Sequence, residues 1–428
     1  TLSSSSAASD VYKRQVAPNA LGAVDFEVAL KEGRSGIRFF EASQSLNFRC
    51  QIGGVPIITD DYKARYFDDY YQNKLENKAI IYACLAGLEA WENAGLGYHK
   101  DSIDFDSGMI MGSGALGMDS SNKAVFSKIL EGNVKRLGSR AIPESMSSGG
   151  AAYLNQILGL GNRVLSNSSA CITGTESVLL GYEHLKSGKA KRMLCGSTEG
   201  DGVFIWGAFD AMRILTSDSN EDPINGSRPM CNSSVGFVPG GGSGAMVLET
   251  LESAQSRGAK IYAEILSANV NSGGLRDGGS MTAPNSNAVI RCMKNSLHEA
   301  KVPSDEIDLI SGHLTGTKGD ATEIKNWKKA LGGTQDQFPL INTPKSMIGH
   351  CIAGAGSIEL VATLLQMEKS FVHGNYNIKG IHPDITEEIP VSSIPVQTVY
   401  KEINTAIKAN FGFGDLNCSI VLRKWQDG

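Results

Sequence analysis

The 428-residue chain lacks any uninterrupted apolar run of about 18 residues, so no segment reads as a membrane-spanning helix. It also lacks a basic excess. Forty Lys and Arg stand against 45 Asp and Glu, a net charge of -5, and no nucleic-acid footprint shows in these totals. Eight cysteines carry no CxxC pair and no regular spacing, which argues against a disulfide scaffold and for a reducing, cytoplasmic setting. The front of the chain has no apolar core of a secretory signal. Glycine, by contrast, is abundant at 49 residues, gathered in particular loops where backbones must approach closely.

The length suits two or three domain-sized units, or one core repeated twice. Residues 1–15, with four consecutive serines and a poor strand at Val11–Gln15, are expected to be a disordered or foreign tail. Order begins at Val16. A short amphipathic helix is expected over Asp25–Gly33, and a stronger one over 73–94, where Ala79, Ala83, Ala86 and Ala90 share a face and Gly95 ends it. Met109–Met111 reads as a buried strand feeding the loop Gly112–Gly117, a weak phosphate-loop candidate without the lysine-serine pair such loops need. Further strands follow at Arg192–Gly196 and Ala245–Glu249. Strands alternating with helices indicate an α/β fold with parallel or mixed sheets.

Cys171 stands at a strand-to-helix junction. Asn162–Ser166 reads as a brief strand, and Ser177–Leu185 spaces its apolar residues for a helix. A helix start carries partial positive charge and free N–H groups, so it should lower the thiol's pKa and could hold an oxyanion. The competing reading is an inert buried cysteine.

The second half brings two histidines to strand ends. Ile307–Gly312 delivers His313, and Pro339–Asn342 leads through Thr343-Pro344-Lys345 to His350. After His350 a small-residue run, Ala353–Ser357, opens a helix fit to press against another backbone. Ala406–Gly414 is a strand-to-loop piece, and Cys418–Leu422 a last strand. Polar residues at strand ends of two halves place a site at their common edge. Zinc is the alternative chemistry, with Cys171, His313 and His350 as three ligands. However, they arrive singly from distant segments, with no paired carboxylate or second cysteine. No metal is expected. The other five histidines (99, 184, 298, 373 and 382) are expected to be exposed and without a role.

Four stretches in register carry a resemblance: Ser169–Gly174 around Cys171, His313 with Thr315 and Thr317, Asn342–His350, and Asn410–Gly414. Together they resemble the elongating β-ketoacyl-acyl-carrier-protein synthases of the thiolase superfamily, from about Val16 to Leu422. The resemblance implies a thiolase-like, five-layered αβαβα fold. Its two pseudo-duplicated halves, 16–255 and 256–428, would each hold a mixed five-stranded sheet.

It also implies a decarboxylative Claisen condensation by an acyltransferase of fatty acid or related biosynthesis. Cys171 would take an acyl group from an acyl carrier protein, and two neutral imidazoles, His313 and His350, would stabilise the enolate formed from malonyl carrier protein. The product is a 3-oxoacyl chain two carbons longer. Lys345 would sit near His350, balanced by Glu359, with Asp320 as further support. The N–H groups of Cys171 and Phe411 would form the oxyanion hole within Phe411-Gly412-Phe413, and Phe411 would gate the acyl pocket. Thr315 and Thr317 would bind the pantetheine arm, and Ala115 would line the acyl pocket near a dimer interface. No cofactor is implied beyond the phosphopantetheine borne by the carrier protein. A homodimer is expected. Lys63 and Arg65 are candidates for docking an acidic carrier protein, the alternative being an exposed charged surface without a partner.

The chain departs from the family at several points. Leu314 stands where Gly is usual, and the loop on to Asp320 looks one residue short. Asp415 replaces a Gly after Phe413-Gly414, which should stiffen the gate. The stretch Arg228–Gly236 lacks the usual acidic and basic residues, and Gly241 falls where an acidic residue is common. These changes leave open a catalytically silent or partner-dependent subunit of a polyketide or polyene heterodimer. Residues 1–15 are expected to stand in place of the family's first strand, a loss that should be costly because its neighbours' backbone groups would lose partners.

Overall fold

The computed structural model describes residues 12–98, 101–121, 125–332 and 338–426. Positions 1–11 of the expected tail and His99 lie outside the described residues. The strands among them are, in chain order, β1 (Tyr12–Ala17), β2 (Ala20–Leu21), β3 (Ile37–Phe39), β4 (Ile52–Gly54), β5 (Ser107–Ser113), β6 (Val164–Leu165) and β7 (Arg192–Glu199). They continue with β8 (Gly242–Glu249), β9 (Ala263–Ser272), β10 (Leu309–Ser311), β11 (Leu340–Asn342), β12 (Thr405–Gly412) and β13 (Leu416–Lys424).

They form two mixed sheets. The first has the order β2-β1-β8-β7-β5-β6 and the second β11-β10-β12-β13-β9, with β3 and β4 as a separate hairpin. The first sheet thus holds six strands where five were expected, the extra one being the two-residue β2 folded back on β1. Helices Thr173–Lys186 and Ala355–Lys369 pack on both sheets and on each other. Helices Lys78–Asn93 and Gly149–Leu158 cover the outer face of the first sheet, and Ser286–Ala300 covers that of the second. The resulting layers run α, β, α, β, α.

The sequence explains the middle layer. Apolar residues line all sides of the Ala355–Lys369 helix, as a helix between two sheets requires. Its small residues admit the neighbour: a Cβ on Gly174 would lie 2.3 Å from the backbone nitrogen of Ser357. In the outer layer, Asn77 caps the Lys78–Asn93 helix by accepting from the Ile80 N–H, and its alanines are all buried.

The expected loss of the first strand does not occur. Residues 12–17, which include the last four positions assigned to the tail, pair antiparallel with β8, from Tyr12 opposite Val247 to Val16 opposite Ser243. The polar composition hid this strand, two of whose polar side chains find partners elsewhere in the fold. Gln15 is fully buried and donates to the Gly22 carbonyl, and Arg14 lies 2.9 Å from Glu89. Two histidines expected to be exposed are buried. His184 lies 2.9 Å from the Asn162 side-chain oxygen, and His373 lies 2.9 Å from the Gly374 carbonyl.

Candidate active site

Cys171 lies in a 3-10 turn, Ala170–Ile172, that runs into the Thr173–Lys186 helix. Ala170 takes φ = 51°, which makes the turn sharp. Thr173 fastens it, accepting from the Ser169 N–H and donating to the Ala170 carbonyl. The thiol borders a cavity of 330 Å³ shared with His313, His350, Thr315, Thr317 and Phe413. The Cys171 sulfur and a ring nitrogen of each imidazole all lie within 4.8 Å of one another. The three motifs therefore do converge, from segments 142 and 179 positions after Cys171 (313 − 171 and 350 − 171).

Electrostatics correct one expectation. Burial pushes the Cys171 thiol up to about 11, against the pull of Lys345 and of the Phe413 N–H, so desolvation outweighs the stabilisation foreseen from a helix start. Burial, joined by the Lys345 charge, holds His313 well below its ordinary value and His350 at about 3. Both imidazoles are neutral at physiological pH.

Hydrogen bonds then set their tautomers. His350 Nδ1 accepts from the Ile352 N–H at 3.2 Å, so its Nε2 carries the proton. His313 Nδ1 lies 3.1 Å from the Asn410 amide nitrogen, which again leaves Nε2 protonated. Both imidazoles, each with its proton on Nε2, thus border one small cavity. Metal ligation would need those Nε2 lone pairs, so the donor set fits a developing oxyanion better than zinc.

Lys345 is fully buried behind His313, and its charge also acts on His350. Its Nζ donates to the His313 carbonyl at 2.6 Å and to Glu359. Burial would raise the Glu359 carboxyl, but Lys345 and Lys408 hold it down at about 2. Asp320 is buried and accepts from the N–H groups of Thr315, Gly316 and Met230. Leu314 adopts φ = 26° with its side chain buried, so the position where glycine is usual keeps a left-handed backbone.

The Phe411-Gly412-Phe413 assignment shifts by two residues. The backbone N–H that reaches the Cys171 sulfur is that of Phe413. Phe411 is held inside β12, opposite Asn417 on β13, and only 7% exposed, whereas Phe413 lies beyond the strand, half-buried and 6.1 Å from the Phe209 ring. The ring free to act as a gate is Phe413. Gly412 lines the same cavity. Ala115 is not among the residues lining it and borders a separate 400 Å³ cavity with Lys78, Asp201 and Phe204. Of the docking candidates, Arg65 is exposed, while Lys63 is partly covered and lies 3.9 Å from Asp60.

Three buried groups escaped the sequence reading. Glu323 accepts the N–H groups of His313 and Leu314 at 2.7 and 2.8 Å. Lys408 lies 2.7 Å from Glu359, and burial lowers its ammonium to about 8 while Glu359 resists. Glu199, pushed up to about 7 by burial, accepts the Ala115 N–H, and its other oxygen has no hydrogen-bond partner. The i+3 step from Asp320 to Glu323 was a usable signal, since it sets both carboxylates at the start of one helix.

Two stacked α/β halves with a cysteine from one and two neutral histidines from the other define a condensing-enzyme fold. The N-terminal domain of the beta-ketoacyl synthase family matches residues 15–254 and its C-terminal domain matches residues 262–379; the chain belongs to this family. It is 32% identical to 3-oxoacyl-[acyl-carrier-protein] synthase 1 of Escherichia coli (strain K12), over 93% of this chain and 94% of that protein. It is 33% identical to the chloroplastic synthase I of Arabidopsis thaliana, over 93% of this chain and 82% of that one. Among solved structures, the type II polyketide ketosynthase AntDE, bound to its acyl carrier protein AntF, superposes with a TM-score of 0.85 at 27% identity. That alignment covers 97% of this chain and 98% of the neighbour. A beta-ketoacyl synthase from Burkholderia phymatum STM815 shares the fold, with a TM-score of 0.87 at 24% identity and the same coverage. Among the described residues no helix is long and apolar enough to cross a membrane.

Proposed function

We propose that Cys171 is the nucleophile, and His313 and His350 the enolate-stabilising donors, of a decarboxylative condensation between an acyl thioester and malonyl carrier protein. The observation that carries this reading is that the Cys171 sulfur and a ring nitrogen of each imidazole meet beside one cavity, while each Nδ1 has an N–H donor next to it and so leaves the proton on Nε2. The Cys171 sulfur attacks the acyl thioester carbonyl and releases the carrier thiol, with the N–H groups of Cys171 and Phe413 holding the oxyanion. Malonyl carrier protein then loses CO2, and the enolate oxygen accepts from His313 and His350. The enolate carbon attacks the acyl-cysteine carbonyl and expels the sulfur, giving a 3-oxoacyl carrier protein. Each donor at such an oxyanion is worth about 10²–10³ in rate.

Lys345, Glu359, Asp320 and Glu323 act from behind as positioning residues, and Thr315 and Thr317 meet the pantetheine arm at the cavity wall. The scheme uses no cofactor beyond that arm, and we place it in the cytoplasm. The partner is an acyl carrier protein, with Arg65 and Lys63 on its docking face, and the chain acts as a homodimer. A silent subunit would have no use for a thiol facing the cavity.

The test is to incubate the protein with an acyl carrier-protein thioester and look by intact mass for an adduct on Cys171, then add malonyl carrier protein. An adduct that vanishes into an elongated product supports the scheme. A folded protein that never forms one sinks it.

A further inference from the structure

Lys408 is an apparent anomaly. It sits on β12, flanked on both sides by strands, where a lysine would ordinarily need a route to water. It is fully buried, and its ammonium is satisfied by the carbonyls of Ser311, Gly312 and Ala409 and by Glu359. Glu359 therefore accepts from two lysines, Lys345 at one oxygen and Lys408 at the other. A buried carboxylate between two ammonium groups stays ionised, so every neighbour that touches it must donate.

Asn410, two residues along the strand on the same face, is that neighbour. Its Nδ2 donates to Glu359 Oε2 at 2.9 Å, and its Oδ1 accepts from the Thr175 hydroxyl at 2.5 Å. The amide cannot flip without turning its oxygen onto the carboxylate. With Nδ2 thus fixed, the same nitrogen faces His313 Nδ1 at 3.1 Å and can only donate there. His350 is treated differently, since a backbone N–H two residues on performs that task.

We propose that Asn410 is a positioning residue that fixes His313 as its Nε2–H tautomer, and that Lys408 and Lys345, by clamping Glu359, fix Asn410 in turn. The order of control runs from the lysines to the carboxylate, the amide and then the imidazole, and no member but His313 touches substrate. Malonyl decarboxylation needs the Nε2–H, whereas attack by Cys171 does not, so the two half-reactions should separate. This inference rests on the proposed role of His313, but its first readout does not.

Seven histidines keep a long-range proton–nitrogen correlation spectrum sparse. In full-length protein labelled at histidine nitrogen, His313, assigned against His313→Asn, should show its proton on Nε2. Asn410→Asp places an acceptor at the same spot and should move that proton to Nδ1. Malonyl carrier-protein decarboxylation should then fall by about 100-fold, the effect of one lost oxyanion donor. Acyl loading of Cys171, followed by intact mass, should fall much less. Lys408→Met should show the same split in milder form. A parent His313 protonated on Nδ1 overturns the proposal, as does a flipped tautomer with unchanged decarboxylation. If Asn410→Asp does not fold, the parent spectrum still decides. If the parent fails to decarboxylate while His313 holds its Nε2 proton, the functional reading fails and the positioning does not.

Discussion

Asp415 offers the sharpest test of how the cavity wall is held. It takes φ = 61°, a left-handed backbone that costs a residue with a side chain roughly 1–2 kcal/mol. Its carboxylate is fully buried and accepts the N–H groups of Asn285 at 2.7 Å and Leu275 at 3.2 Å, while its carbonyl accepts from Gly273. The next residue back, Gly414, donates to the Met281 carbonyl. Asp415 thus ties the Phe413 turn to the 273–285 loop, whose Thr282, Ala283 and Pro284 line the cavity. A Cβ on Gly273 would lie 2.1 Å from the carboxylate, so the loop is shaped around it.

Hydrogen bonds to a charged acceptor contribute about 1.5–3 kcal/mol each, so Asp415→Ala should cost the loop roughly 3–6 kcal/mol and keep the backbone strain. Asp415→Gly loses the same bonds but relieves that strain, leaving a net cost of roughly 2–4 kcal/mol. A chain this long need not unfold in one step, so the assay should be local. In hydrogen–deuterium exchange, peptides over 273–285 should exchange about 10²–10⁴-fold faster in Asp415→Ala and about 30–700-fold faster in Asp415→Gly, because each 1.4 kcal/mol is tenfold. Peptides from the Lys78–Asn93 helix should not change. Exchange in Asp415→Gly no faster than in the parent would refute the clamp.

Alkylation of Cys171 by iodoacetamide should rise about tenfold per pH unit from neutrality to roughly pH 10, because the thiol titrates near 11, and a plateau near neutrality would mean the helix start outweighs burial. Lys345→Met should slow the same reaction at fixed pH by removing the cation that pulls this thiol down. Glu199 has its folded pKa raised to about 7, so the stability it contributes is present below its unfolded value of about 4.3 and lost as pH rises through 7. Glu199→Gln should therefore stabilise the protein by up to ~3 kcal/mol at pH 8, a gain in melting temperature that shrinks towards pH 4. Gly174→Ala forces a methyl against the Ser357 backbone and should cost about 1–3 kcal/mol in chemical denaturation, and a neutral result would show that the two central helices can separate freely.

The parts of the site legible in the sequence were those that need a particular residue type at a strand end. Cys171, His313 and His350 each lie on the segment that leaves a stretch read as a strand, and chemistry limits what else could stand there. What stayed hidden depended on tertiary burial. A lysine in a strand, such as Lys408, looks like a solvated edge until three carbonyls and a carboxylate are seen around it. β1 looked like no strand because Gln15 and Arg14 find partners on two helices, at Gly22 and Glu89, that no alternation within the strand signals. The Phe411 and Phe413 roles depend on where β12 ends, and a register of two residues decides which ring is locked in the ladder. Ala115 lines a different cavity from the one expected, since a Gly-rich loop leaves the direction of its residues unsigned in the sequence.

On the proposed assignment, the placement of charge follows from the reaction. A cation inside the cavity would bind the malonyl carboxylate best in its ground state, before CO2 leaves, and so would oppose the step it is meant to serve. Neutral N–H donors make no such preference for the carboxylate and gain strength as charge gathers on the enolate oxygen. The structure keeps its cations behind the wall. Lys345 and Lys408 against Glu359 leave one net positive charge beneath the imidazoles, and neither lysine borders the cavity. That charge helps hold both rings neutral and opposes the burial that protonates Cys171. Moving it into the cavity by a longer or shorter side chain would trade decarboxylation for malonyl binding, a lower KM with a lower kcat.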